Sequence, residues 1–179
     1  MSQTEILNII ITGTGGQGVF TLSNLIRKLA VNSGLKCEGA TFKGGAQRMG
    51  STHTELRILK DPESEAHFSS QIPMGAVDVL IGMEPWEALR FANRCNSNTQ
   101  SIINSHEEKL YVERYRKTAT INPIESLENV FNNPIIKNYS QCSKEQRGDT
   151  INTNYIMLRE AIQKGYLPFT VEDLEAINI

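Results

Sequence analysis

Residues 8–18 read Asn-Ile-Ile-Ile-Thr-Gly-Thr-Gly-Gly-Gln-Gly, an apolar run that breaks into four glycines within six positions. A β-branched run of this kind is the pattern of a strand buried on both faces of a parallel sheet. Gly13, Gly15, Gly16 and Gly18 then permit a sharp turn and a close backbone approach. Val19, Leu22, Leu25, Ile26, Leu29 and Ala30 recur directly afterwards at helical spacing, and Gly34 stands where a helix-terminating glycine belongs. Strand, glycine turn and helix in this order open a nucleotide-binding half-domain. The turn has two readings. It holds a phosphate at the helix N-terminus, or it is a structural turn that uses glycine.

The rest of the chain alternates strands with helices. Lys36–Phe42 reads as a short strand, and Thr52–Leu59 as another, with Leu56 and Ile58 on one face and Glu55 and Arg57 on the other. Asp61-Pro62 turns the chain into a polar surface loop over 61–72. Val77–Gly82 is a buried strand, followed by a helix from Pro85 with Trp86, Leu89 and Ala92 on one face. Ser101–Asn104 and Thr118–Ile121 are further short strands. Asn122-Pro123-Ile124-Glu125 carries an N-cap, a first-turn proline and an acid at N3. A helix over 154–164 ends at Gly165, and Thr170–Asp173 opens a last amphipathic helix. The expected fold is α/β, a three-layer Rossmann-like arrangement around a mainly parallel sheet. At 179 residues, without repeat or linker, it is expected to form a single domain over 1–179.

Composition removes several function classes. A formal net charge of -2 supplies no global drive toward nucleic acid or an anionic membrane. No apolar stretch approaches the ~20 residues needed to span a bilayer. The polar start, Met-Ser-Gln-Thr-Glu, runs into the first strand, so no secretion signal is expected and the chain reads as cytoplasmic. Cys37, Cys95 and Cys142 are odd in number and far apart, against a disulfide framework or an iron–sulfur or other metal motif. His53 stands in a strand with no Asp or Cys partner nearby, and His67 and His106 also lack partners in the sequence. Nucleophile elbow, Walker loop and paired-carboxylate patterns are missing too. No catalytic residue is assigned to this chain.

Gly13, Gly15 and Gly18 satisfy G-x-G-x-x-G after a strand and before a helix. A dinucleotide site also needs an acid about 20 residues on, at the end of the second strand, for a ribose hydroxyl. Glu38 is near that distance, but within Lys-Cys-Glu-Gly-Ala-Thr-Phe it is poorly placed. A second loop sets Gly44, Gly45 and Gly50 around Gln47, Arg48 and Met49, with Ser51, Thr52 and His53 following. Arg48 there is suited to bidentate bonds with a carboxylate or phosphate, or to an ordinary salt bridge.

Taken together, 8–19 and Gly-Gly-Ala-Gln-Arg-Met-Gly-Ser at 44–51, with Leu-Arg-Ile at 56–58, resemble the gamma family of 2-oxoacid:ferredoxin oxidoreductases. The Ala-Gln-Arg-x-Gly-Ser form looks closest to the small subunit of the indolepyruvate type. The resemblance continues through Val77-Asp-Val-Leu-Ile-Gly-Met-Glu-Pro-Trp-Glu-Ala-Leu89, Asn154–Leu158 and Gly165-Tyr-Leu-Pro-Phe169, covering about residues 6–177. It implies an accessory subunit, inactive alone, in a complex that oxidatively decarboxylates a 2-oxoacid and delivers the acyl group to coenzyme A. Thiamine diphosphate, its magnesium and the iron–sulfur clusters are then expected in a larger partner subunit, with ferredoxin reached through the complex. No cofactor is expected to be held firmly by this chain, and a homodimer of the isolated chain stays open. The positions carried over are Gly13, Gly15, Gly16, Gln17 and Gly18 as a cofactor-binding or interface loop. Gln47, Arg48, Gly50 and Ser51 carry over as substrate or interface residues. The alternatives are a free-standing NAD-binding Rossmann oxidoreductase and a non-enzymatic interaction domain.

Overall fold

A computed structural model of the chain describes residues 6–45, 50–64, 66–107, 121–147 and 152–177. The proposed strand at Thr118–Ile121 lies outside them except for Ile121, which belongs to no element. The expected glycine-flanked strand and helix form β1 (Ile6–Thr14) and α1 (Val19–Asn32). They are followed by β2 (Lys36–Lys43), β3 (Ser51–Leu59), β4 (Val77–Gly82), α2 (Pro85–Phe91) and a 3-10 turn over Ala92–Arg94. The chain continues with β5 (Cys95–Asn104), α3 (Pro123–Val130), β6 (Ile135–Lys137), α4 (Tyr139–Arg147), α5 (Thr153–Gln163) and α6 (Val171–Ala176).

The six strands form one sheet in the order β2-β3-β1-β4-β5-β6. Pairing is parallel from β1 through β4 and β5 to β6, and antiparallel on both sides of β3. Alternation along β1 explains the layers, because successive side chains point to opposite faces. Ile9 and Ile11 are fully buried with Leu22, Ile26 and Leu29 of α1 and Met157, Leu158 and Leu174 of α5 and α6. Ile10 faces the other way, into a smaller core with Leu80, Ala88, Ile103, Leu127 and Phe131 under α2 and α3. Among the described residues, no helix is long and apolar enough to cross a membrane.

Local chemistry stops the helices where the glycines stand. Gly34 (φ 71) donates to Val31 O and Leu35 to Ala30 O, a Schellman closure, and Gly165 and Tyr166 repeat it on Ile162 and Ala161. Asn122 caps α3 through Ile124 N–H, and Thr170 and Asp173 form a reciprocal capping box on α6. Three readings change. β5 begins at Cys95 rather than Ser101, because Thr99 bonds Val77 O and Asn96 N–H, absorbing a register shift between Val77 and Val79. β6 and α4 have no counterpart among the elements expected from sequence. Trp86 does not share the packing face of α2. Ala88 does, seated over Gly82 (a Cβ on Gly82 would come 2.7 Å from Ala88 Cβ), while the Trp86 indole turns to Glu107.

Candidate functional site

The carboxyl ends of the parallel strands gather on one edge of the sheet, the side on which ligands collect in open α/β folds. The first glycine loop lies there and is closed by its own bonds. Thr14 N–H donates to Gln17 Oε1 at 2.8 Å, and Gln17 N–H donates to Thr14 O at 3.1 Å. Gly15 N–H donates to Gly50 O at 2.9 Å, extending the β1–β3 ladder one step past the strand ends. Gly13 is required for packing. A Cβ on it would lie 2.8 Å from both Gln17 Oε1 and Met83 Cβ. Gly18 caps α1 at φ 83, a left-handed conformation that suits glycine, and Asn154 of α5 donates to its carbonyl at 3.0 Å. A phosphate cradle points its backbone N–H groups at the ligand. In this loop the amides of Thr14, Gly15 and Gln17 point at protein acceptors.

Glu38 is far from the loop for a topological reason. β3 lies between β1 and β2, so the strand after α1 is not the neighbour of β1 as the dinucleotide fold requires. Glu38 pairs across with Arg57, and Arg57 with Asn8, five residues below Gly13 along β1. At ~3.3 Å per residue that places it about 17 Å down the sheet.

Of the second loop, Gly50 and Ser51 are brought to this edge, while Gln47 and Arg48 lie outside the described residues. Gly44 N–H donates to Ser51 O at 2.8 Å, closing the β2–β3 hairpin beside the first loop. The Ser51 hydroxyl donates to Glu87 Oε2 at 2.6 Å, and Arg90 Nε stands 3.4 Å from the same oxygen. Glu84 caps α2 by accepting Glu87 N–H at 2.9 Å. Both Glu84 and Glu87 are fully buried, and Glu84 Oε1 has no hydrogen-bond partner among the described residues. Burial pushes the Glu84 carboxyl up to about 7. The Glu87 N–H opposes that rise, and the Glu87 carboxylate adds to it.

Ser51, His53 and Glu55 alternate along β3 on the face toward α2. They meet Glu87, Phe91 and Arg94 in order. Two strand residues advance ~6.6 Å and a helical turn ~5.4 Å, so the two rows run nearly in step. Glu55 pairs with Arg94 at 3.1 Å and accepts Ile72 N–H at 2.7 Å. His53 stacks on Phe42 with centroids 4.7 Å apart, and its Nε2 is 3.9 Å from Glu55 Oε1. Burial lowers its pKa below the ordinary histidine value, against the raising effect of Glu55.

His53 has an acidic neighbour in Glu55, which alternation places two residues along the same strand face. One expectation from sequence is corrected by this geometry. A carboxylate pair does exist, at Glu84 and Glu87. Its signal was the Glu-Pro-Trp-Glu run, an N-cap acid, a first-turn proline and an acid one turn on. Asn154 and Asn104 were also missed as site residues. Asn104 is buried and donates to Met83 O at 3.3 Å and Ser140 Oγ at 2.9 Å, fastening the end of β4 to α4. Among the described residues, no group of three or more His, Cys, Asp or Glu side chains is arranged to hold a metal ion.

This arrangement defines a Rossmann-like α/β unit whose carboxyl edge carries a self-bonded glycine turn tied to a second loop. The chain belongs to the pyruvate ferredoxin/flavodoxin oxidoreductase family, whose model matches residues 8–177. It is 33% identical over 176 residues to the indolepyruvate oxidoreductase subunit IorB of Archaeoglobus fulgidus, spanning 94% of this chain and 82% of that protein. Its fold is similar to the pyruvate oxidoreductase subunit PORC of Thermotoga maritima, with TM-score 0.64 and 16% identity over 96% of this chain and 83% of that one. The gamma subunit of a keto/oxoacid ferredoxin oxidoreductase from Geobacter sulfurreducens gives TM-score 0.61 and 15% identity, covering 95% and 83%.

Proposed function

We propose that this chain is the accessory subunit of a 2-oxoacid:ferredoxin oxidoreductase complex that oxidatively decarboxylates an indolepyruvate-type 2-oxoacid to its acyl-CoA. It acts as a single gamma-type domain over 1–179 and works in the cytoplasm. Thiamine diphosphate, magnesium and the iron–sulfur clusters belong to a larger partner, which passes electrons to ferredoxin. This chain supplies the loop edge at Gly13–Gly18 and Gly44–Ser51. That edge faces the partner or the approach of oxoacid and coenzyme A, with Arg48 holding a carboxylate or phosphate.

The observation that carries this reading is the joint between the two loops. Gly15 N–H is spent on Gly50 O, and Gln17 closes the turn on Thr14. A loop built in this way is a shaped edge rather than a dinucleotide cradle, and the family match over 8–177 supplies the kind of complex it serves. Arg48→Ala in the assembled complex tests the loop's part. A several-fold rise in KM for the oxoacid or coenzyme A, or weakened assembly, is expected. Unchanged assembly with both KM values unchanged overturns the role given to this loop.

A further inference from the structure

Glu84 and Glu87 stand one turn apart at the start of α2, and both side chains are fully removed from solvent. On α2, Arg90 is half-exposed and its Nε lies 3.4 Å from Glu87 Oε2. From β3, Ser51 donates to the same oxygen, and His53 approaches on the flank of Glu87. From the segment after β5, Glu107 adds negative charge near Glu84 and accepts from Trp86. Glu84 Oε2 is occupied by Glu87 N–H, whereas Oε1 is buried with no partner among the described residues. A fully buried carboxyl with one oxygen unpartnered among the described residues, one turn from a second buried carboxylate, is costly to ionise and is relieved by holding a proton.

We infer that Glu84 is a positioning residue that carries a proton on the acidic side of neutrality in the folded chain, and that losing this proton disturbs the joint between the two glycine loops. The path is short and bonded throughout. Glu84 caps Glu87, Glu87 holds Ser51, and the residue before Ser51 offers its carbonyl to Gly15. With Glu84 neutral, Glu87 Oε2 stays on the Ser51 hydroxyl and beside Arg90. Ionised Glu84 sets a second buried charge one turn away, and the relief available is for α2 to shift and draw Glu87 from Ser51. Burial raises the Glu84 carboxyl into the neutral range, so the change falls at working pH. The inference holds whichever partner the loops face.

Carbonyl-detected NMR on the full-length chain, titrated from pH 4 to 9, reads both ends of this path. The Glu84 side-chain carbonyl is expected to titrate near pH 7, and the Gly15 amide shift to follow with the same midpoint. In Glu84→Gln the Gly15 amide is expected to lose that transition. In Ser51→Ala the Glu84 carbonyl still titrates but Gly15 no longer follows. A wild-type Glu84 midpoint near 4.5 overturns the inference without any variant having to fold. So does a Gly15 transition that survives unchanged in Glu84→Gln.

Discussion

Gly15 gives its backbone N–H to the carbonyl of Gly50 at 2.9 Å, joining the loop after β1 to the entry of β3. The bond continues the antiparallel register in which Gly13 faces Thr52 and Thr14 faces Ser51. It exists because β3 runs against β1 at this position, where a standard dinucleotide fold would place a parallel strand. The same insertion separates β2 from β1 and carries Glu38 away from the glycines.

Gly18 and Asn154 are coupled. Gly18→Ala is expected to cost about 1–2 kcal/mol for the left-handed conformation alone, and more from its contact with the Asn154 amide. Asn154→Ala removes one hydrogen bond and is expected to cost about 1 kcal/mol. Because the second substitution also removes the clash, the double variant should lose less than the sum of the two. Urea denaturation of the four-member cycle measures this.

Ser51→Ala deletes a hydrogen bond to a buried carboxylate. A loss of about 1.5–3 kcal/mol in unfolding free energy is expected. Ser51→Thr retains the hydroxyl and is expected to recover most of it, which separates the bond from mere change of volume.

Stability should carry the signature of Glu84. Its folded value, about 7, lies above the ordinary 4.5, so between these pH values the folded chain holds a proton that the unfolded chain has released. Stability therefore falls as pH rises from about 4.5 to 7 and levels off above. His53 works in the opposite direction, since its lowered value makes stability rise with pH near its own range. The comparison of Glu84→Gln with wild type cancels the histidine. The variant should gain on wild type across this window, by up to about 3 kcal/mol. Chemical denaturation at half-unit pH steps reads the difference, and parallel curves would contradict the assignment.

The isolated chain should not bind NAD(H) at micromolar concentration, because the amides of Thr14, Gly15 and Gln17 are already engaged. Calorimetric titration checks this directly. Saturation by NAD(H) in that range would restore the dinucleotide reading.

The buried elements were legible in the sequence because their patterns are strong. β1 and β4 are apolar runs, α1 keeps helical spacing to Gly34, and the caps at Asn122 and Thr170 stand as their residue types suggest. Strand direction was not legible, since Thr52–Leu59 alternates equally well in either orientation. β6 is only three residues long, and the mean polarity of α4 hides Tyr139, its fully buried anchor. At the site, the glycines announced a turn but not which acceptors its amides would meet. The burial of Glu55 and Glu87 was not legible, because Arg94 for the first and Ser51 and Arg90 for the second are brought alongside only by the folded sheet and α2.

The central claim, that this chain is an accessory subunit, is tested most directly by purifying it under mild conditions from its native source and assaying add-back. Co-elution in fixed stoichiometry with a larger polypeptide carrying thiamine diphosphate and iron–sulfur clusters is expected. Oxoacid- and coenzyme A-dependent dye reduction should be lost when the two are separated and regained on mixing. A larger polypeptide that is fully active without this chain, or a chain that elutes alone and turns over substrate alone, would contradict it.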